Sequence, residues 1–208
     1  LELIDHPEVD RFVAYYTGKA RSFVTEGLER RAKYLPIIEP IFESYGVPKE
    51  LANIAFVESR FITTARSRDG STVGLWQLSK IVAKNYGLKI GGGVDERTDV
   101  KKSSEAAARF LASLYDSFGD WYLAAAAWNL GPSAVQKAVD ELQRTEPITS
   151  QDLFDLTSRG LVVQITREFV AKVAALAIIT KDLEKYGFNQ PPRLGGGSVK
   201  VSGAEDNG

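Results

Sequence analysis

A carboxylate held away from water is a natural proton donor. The chain offers one at Glu58, directly preceded by Ile54, Ala55, Phe56 and Val57 at the end of a mainly apolar helix. Desolvation disfavours the charged form and raises the pKa, which suits a general acid. The competing reading is a glutamate that faces solvent or pairs with Arg60 or Arg66, as exposed glutamates commonly do, and position alone leaves both open. Other chemistries have less to work with. The single histidine, His6, sits beside Pro7 in a segment expected to be an exposed terminus, and one histidine supplies neither a Ser-His-Asp nor a Cys-His system. With no cysteine, thiolate catalysis, disulfides and Cys-based zinc sites are excluded. No histidine pair exists, and Asp152 and Asp155 lack the further carboxylates and glycine of a calcium loop, so neither a metal nor a cofactor is expected.

Three tryptophans, Trp76, Trp121 and Trp128, suit either a core or a platform for sugar rings, and core is the commoner fate. Two of them adjoin amides, Gln77 and Asn129. An amide donates and accepts at once, matching the hydroxyl and N-acetyl groups of a sugar. Aromatic walls with amide teeth suit a glycan.

These residues need a scaffold, and 208 residues suffice for one sizeable core. The composition, 44% hydrophobic and 25% charged, is that of a folded globular chain. The formal charge of −1, without long runs of one sign, gives no reason to expect nucleic acid or an anionic membrane as partner. The longest strongly apolar run, residues 170–180, is interrupted by Lys172 and is too short to cross a bilayer. Residues 1–6 lack the basic start, apolar middle and cleavage site of a signal peptide.

Apolar positions Val9, Phe12, Val13, Tyr16, Ala20, Phe23, Val24 and Leu28 recur at helical spacing over residues 7–33, with Gly18 and Gly27 as weak points. A second helix is expected over residues 35–45, and a third from Pro48 to about Glu58. The polar stretch 61–78, with Val73-Gly74-Leu75-Trp76 as a short strand or buried turn, is the expected cleft wall. Residues 79–88 read as helix, Gly91-Gly92-Gly93 as a flexible loop, and Ser103-Ser104-Glu105 as the opening of a helix that Gly119 stops. The Ala-rich run 121–128 is a tightly packed helix ended by Asn129-Leu130-Gly131-Pro132, followed by a helix over 133–142. Turn material at 145–150, a short helix near Leu153 and a closing helix over 161–186 complete the expected core. The prediction is an all-α chain with at most a very short β element. Residues 191–208 read as a linker or tail.

Glu58-Ser59, Gly74-Leu75-Trp76-Gln77 and Ala127-Trp128-Asn129 followed by Gly131-Pro132 resemble, in order, the three signature motifs of lytic transglycosylases with the goose-lysozyme-like fold. The flanks Tyr86-Gly87-Leu88, Asp95-Glu96-Arg97, Glu105-Ala106-Ala107 and Phe118-Gly119-Asp120-Trp121-Tyr122 are similar to the membrane-bound murein transglycosylase D group. The resemblance covers roughly residues 7 to 190 and implies a lysozyme-like catalytic domain over 35–190 with a helical extension, residues 1–34, packed on it. It implies a single catalytic carboxylate, Glu58, that cleaves the bond between N-acetylmuramic acid and N-acetylglucosamine and leaves a 1,6-anhydro end.

Ser59 and Ser67 would orient carboxylate and sugar, Gln77 would contact an N-acetyl group, Asn129 and Trp128 would shape the floor, and Gly74 would let the backbone come close. Peptidoglycan strands are the implied partner, the periplasm or cell envelope the implied location, and a monomer the expected state. The closest rivals are a goose-type lysozyme, which adds water, and a glycan-binding protein of this fold that has lost turnover. Two departures stand out. The third motif usually has tyrosine where this chain has Trp128, so an indole N–H replaces a phenolic hydroxyl. The segment 164–170 has Ile165 where the group commonly carries glutamate and Phe169 where it carries tyrosine. Glu168, one turn along, is the candidate to face the same side. An extra residue also falls within residues 69–73, beside the cleft.

Overall fold

The computed structural model describes residues 1–141, 153–154, 156 and 160–191. The turn expected at 145–150 and residues 192–208 of the expected tail lie outside them; Leu153, Phe154 and Leu156 are helical.

Helix α1 (Pro7–Thr17) starts at His6, whose Nδ1 accepts a hydrogen bond from the Glu8 N–H at 3.1 Å and whose ring stacks on Phe154 at 3.8 Å. This histidine is therefore a half-buried helix cap and not an exposed terminal residue. The single helix expected over 7–33 breaks at Gly18, which has φ −109 and ψ −103. Its second half instead joins the next predicted helix as α2 (Arg21–Ser44), so the expected junction of residues 34 and 35 lies inside one helix. Pro36 and Pro40 each remove an i→i−4 bond, yet α2 persists because Val24, Leu28, Ile38 and Phe42 bury one continuous face. Gly27 lets α2 press on the segment that carries Phe56: a Cβ there would lie 2.2 Å from the Phe56 ring.

A 3₁₀ turn (Lys49–Ala52) leads into α3 (Asn53–Ser59). Two consecutive left-handed residues, Arg60 (φ 53) and Phe61 (φ 58), end α3. Such conformations are unfavourable for non-glycine residues. They are held by burial of Phe61 and by Arg30 Nε donating to the Arg60 carbonyl at 2.7 Å.

The cleft-wall segment forms a small antiparallel hairpin, β1 (Thr72–Val73) with β2 (Leu78–Ser79), in register Thr72↔Ser79 and Val73↔Leu78. Helix α4 (Lys80–Asn85) follows, capped by the Ser79 hydroxyl. The glycine run is not a loose loop. Gly92 and Gly93, at φ 60 and 82, form the tip of a second hairpin, β3 (Ile90–Gly91) with β4 (Val94–Asp95), where positive φ is what the tight turn requires. A 3₁₀ turn (Glu96–Thr98) precedes α5 (Val100–Phe118). Its cap is Asp99, which accepts from the Lys102 N–H at 2.8 Å, whereas Ser103 and Ser104 are buried within the helix.

Helix α6 (Trp121–Leu130), capped by Asp120, packs its alanines between α5 and the final helix α8 (Gln164–Lys181), with α7 (Pro132–Glu141) beside it. Small side chains let these backbones approach closely. α8 also packs on α1 and α3; it is shorter than expected at both ends, and Leu183 is buried beyond it. The architecture is mainly helical with two minimal hairpins. Among the described residues no helix is long and apolar enough to cross a membrane.

Candidate active site

Glu58 lies in the last turn of α3, where the left-handed pair at 60 and 61 turns the chain away. Trp128 Nε1 on α6 donates to Glu58 Oε1 at 3.1 Å, and Oε2 has no protein partner among the described residues. Burial pushes the Glu58 carboxyl up from 4.5 to about 7, while the Trp128 hydrogen bond acts in the opposite direction. Arg60 is turned toward Glu26 at 3.1 Å, so it does not neutralise Glu58. The indole donation to Oε1 leaves the acid proton to Oε2, the oxygen without a partner. Of the two readings open from sequence, the structure favours the desolvated one, since Glu58 is half-buried and makes no ion pair among the described residues.

The cleft around Glu58 has a volume of about 440 Å³, and Glu58 is its only carboxylate among the described residues. Its walls include Thr72, Gln77, Val82, Phe110, Trp128 and Asn129. The Trp128 ring leans on Phe110 (5.2 Å) and meets Trp76 edge-on (6.2 Å). Trp76 itself is fully buried, stacked on Phe42 at 5.3 Å, with its Nε1 donating to Ser104 Oγ at 3.0 Å. It belongs to the core behind the cleft. Asn129 Oδ1 accepts from Thr166 Oγ1 on α8 at 2.8 Å, so its amide N–H groups remain available.

Gln77 lines the cleft but is largely committed to its own loop. Its Nε2 donates to the Ala65 and Gly74 carbonyls (3.1 and 2.8 Å), and its Oε1 accepts from Thr72 Oγ1 (2.9 Å). Gly74, at φ 89, sits against the Arg97 backbone: a Cβ there would lie 2.0 Å from the Arg97 carbonyl oxygen. Ser59 and Ser67 are outside the cleft lining. Ser59 Oγ donates to the Leu75 carbonyl at 2.7 Å, tying the end of α3 to the hairpin turn. Ser67 Oγ donates to Asp69 Oδ1 at 2.7 Å and accepts from the Thr72 N–H at 3.0 Å, so it shapes the loop ahead of β1.

Two supports carry no role in the sequence reading. Arg97, almost fully buried, grips Asp95 through two bonds (2.9 and 2.8 Å) and donates to the Ser71 and Leu78 carbonyls, bracing the first hairpin from behind. Asp95-Glu96-Arg97 was visible as a motif flank, but its partners are remote in sequence. Thr166, 1% exposed, holds Asn129 and gave no signal beyond its place beside Ile165.

Ile165, which stands where the group commonly carries glutamate, is 75% exposed. Glu168 does not reach the Glu58 cleft. It lines a different depression and lies 3.6 Å from Arg11 and 3.9 Å from Lys172. The rotation of α8 against α1 sets both outcomes. Among the described residues, no group of three or more His, Asp or Glu side chains is placed to hold a metal ion.

A mainly helical, lysozyme-like domain with one desolvated carboxylic acid in an aromatic and amide-lined cleft defines the class. The transglycosylase SLT domain model matches residues 37–150, and the chain belongs to that family. It is 32% identical over 172 residues to membrane-bound lytic murein transglycosylase D of Escherichia coli K12, covering 82% of this chain and 36% of that protein. It is also 37% identical over 124 residues to a putative tributyltin chloride resistance protein of an Alteromonas species, covering 59% of each. The chain thus spans only about a third of the length of the first of these relatives. Among solved structures, an inactive glutamate-to-glutamine mutant of the lytic transglycosylase Slt of Pseudomonas aeruginosa superposes with a TM-score of 0.56 at 21% identity, over 76% of this chain and 25% of that one. At that identity the likeness speaks for the fold.

Proposed function

We propose that the chain is a peptidoglycan lytic transglycosylase domain that cleaves the MurNAc-β-1,4-GlcNAc bond with Glu58 as its single general acid and base. The observation that carries this reading is the Glu58 carboxyl itself: held protonated to about pH 7, with Oε2 unpartnered, and without a second carboxylate among the described residues that line the cleft. Glycosidases with two carboxylates place the second across the scissile bond. A lone acid suits a reaction in which the nucleophile comes from the substrate.

In the first step Oε2–H protonates the bridging oxygen as the glycosidic bond breaks, and the substrate's N-acetyl carbonyl stabilises the positive anomeric carbon. In the second, the Glu58 carboxylate removes the proton of the muramic C6 hydroxyl, which attacks the anomeric carbon and closes the 1,6-anhydro ring. The acid is regenerated and no water is consumed. The Trp128 N–H keeps Oε1 occupied and stabilises the carboxylate formed between the steps. The Asn129 amide offers donors to a sugar carbonyl or hydroxyl, and Thr72 and Gln77 form the opposing wall. Ser59, Ser67 and Gly74 act by fixing that wall. The name of the murein transglycosylase relative supports the assignment. The substrate's location implies work in the periplasm or cell envelope.

The test is mass spectrometry of sacculi digested by wild type and by Glu58→Gln. Anhydro-muropeptides from wild type only are expected. Reducing ends would replace the lyase reading by a hydrolase, and undiminished release by the variant would remove Glu58 from the mechanism.

A further inference from the structure

A second depression, of about 470 Å³, opens where α1, α3 and α8 meet, lined by Arg11, Phe12, Tyr16, Val57, Glu168 and Lys172 among others. Its floor is aromatic and its rim is charged. The Tyr16 ring is buried, yet its hydroxyl has no hydrogen-bond partner among the described residues. Lys172 Nζ lies 3.9 Å from Glu168 Oε2 and 5.2 Å from the Phe12 ring centre, with no hydrogen-bond acceptor among the described residues. Arg11 is 3.6 Å from the same glutamate and shares its guanidinium with Glu8 at 2.5 Å. Both ion pairs to Glu168 are longer than a hydrogen bond, so Lys172 can turn to an incoming carboxylate without abandoning a strong partner, while Arg11 keeps its bond to Glu8 through one guanidinium nitrogen and offers the others.

The depression adjoins the Glu58 cleft through α3. Val57 lines one and Glu58 the other, and consecutive helical residues point about 100° apart. A ligand leaving the cleft has about one helix diameter, roughly 10 Å, to cover. Three residues of extended peptide span that distance. A strand in the cleft carries such a peptide on its muramic acid residues, and those peptides bear free carboxylates together with an amino group. Two cations flanking one carboxylate over an aromatic floor complement that charge pattern. Apart from Val57 and Glu58, the residues named here fall outside the 37–150 match of the domain model.

We propose that this groove is a subsite for the peptide substituent of the glycan strand, with Lys172 and Arg11 receiving its carboxylates and Glu168 its amino group. The inference rests on the peptidoglycan reading of the cleft, and its test has an arm that needs no turnover.

In that arm, a free stem tetrapeptide carrying a diamino acid is titrated into Glu58→Gln protein and followed by NMR shifts. Binding that weakens with salt, and about fivefold more in a background also carrying Lys172→Gln, is expected. Absence of binding, or binding indifferent to both Lys172→Gln and Arg11→Gln, overturns the subsite. Arg11 is exposed and Lys172 half-buried, and retention of the fold in both variants is checked by circular dichroism. In the second arm, KM is compared on peptide-bearing and enzymatically stripped strands. The preference for peptide-bearing strands falls about fivefold in Lys172→Gln with kcat kept. An unchanged preference overturns the proposal even where Glu58 proves catalytic. Peptide binding with full turnover by Glu58→Gln would instead sink the mechanism and leave the groove standing.

Discussion

The two depressions beside α3 each hold one glutamate and treat it in opposite ways. Glu58 is surrounded by apolar side chains and one indole N–H, and its proton is retained to about pH 7. Glu168 lies between Arg11 and Lys172, where its charge is compensated by neighbours. On the readings proposed above, the same functional group is a reagent in one place and a recognition element in the other. What differs is desolvation against pairing. The cleft also lies within residues 37–150 matched by the domain model, whereas the groove is built mostly from α1 and α8 outside them.

The largest effect expected is on turnover. Glu58→Gln is nearly isosteric, so it should reduce kcat by about a thousandfold or more while peptide titration of the groove persists. Activity within tenfold of wild type would mean that the cleft is not the reacting depression. Next comes Gly74→Ala, where the new Cβ meets the Arg97 carbonyl at 2.0 Å on a φ of 89. A loss of about 3 to 4 kcal/mol in denaturant unfolding is expected, against only about 1 to 2 kcal/mol for alanine at Gly92, which has the positive φ but nothing within 4 Å. Equal losses at both sites would contradict the braced wall.

A smaller effect follows from the raised pKa. Below pH 4.5 the Glu58 carboxyl is protonated both folded and unfolded, so wild type and Glu58→Gln are equally stable. Between 4.5 and about 7 only the unfolded chain releases the proton, and wild type loses ground. Above that the deficit levels off at up to about 3 kcal/mol, so the variant should melt at a higher temperature than wild type at pH 8 and at the same temperature at pH 4. A constant offset at all pH values would place Glu58 in water. The smallest effect is that of Trp128→Phe. It removes the hydrogen bond that lowers the Glu58 pKa and should move the alkaline limb of kcat/KM to higher pH, at a stability cost of about 1 kcal/mol. An unshifted limb would show that the indole does not act on the acid.

Much of the cleft was legible because its signals are local. The apolar run before Glu58, the Gly74 turn and the Trp128-Asn129 helix end each sit within a few residues of what they do. The substitution of an indole for a phenol was readable as well, and the indole takes up the carboxylate bond directly. What sequence did not give depends on how elements rotate against one another. Ile165 points to solvent and Glu168 into the other depression because α1 fixes the face of α8, and helical spacing carries no information about that partner. Gln77 shows the same limit in miniature. Its motif marked it for the cleft, but its amide is engaged by Thr72, Gly74 and Ala65 through a loop whose shape no pattern encodes. The helix break at Gly18 and the unbroken course through Pro36 and Pro40 likewise reflect tertiary burial overriding local preference.

The left-handed pair at Arg60 and Phe61 has a consequence for timing. That backbone is unfavourable until Phe61 is sealed in the core and Arg30, thirty residues away, reaches the Arg60 carbonyl. The turn that orients Glu58 is therefore completed by long-range closure and not by the helix that carries it. A chain still emerging or unfolded bears an ordinary acidic residue at position 58, ionised and harmless at neutral pH. On the proposed mechanism the domain thus gains its reagent only when folding is finished.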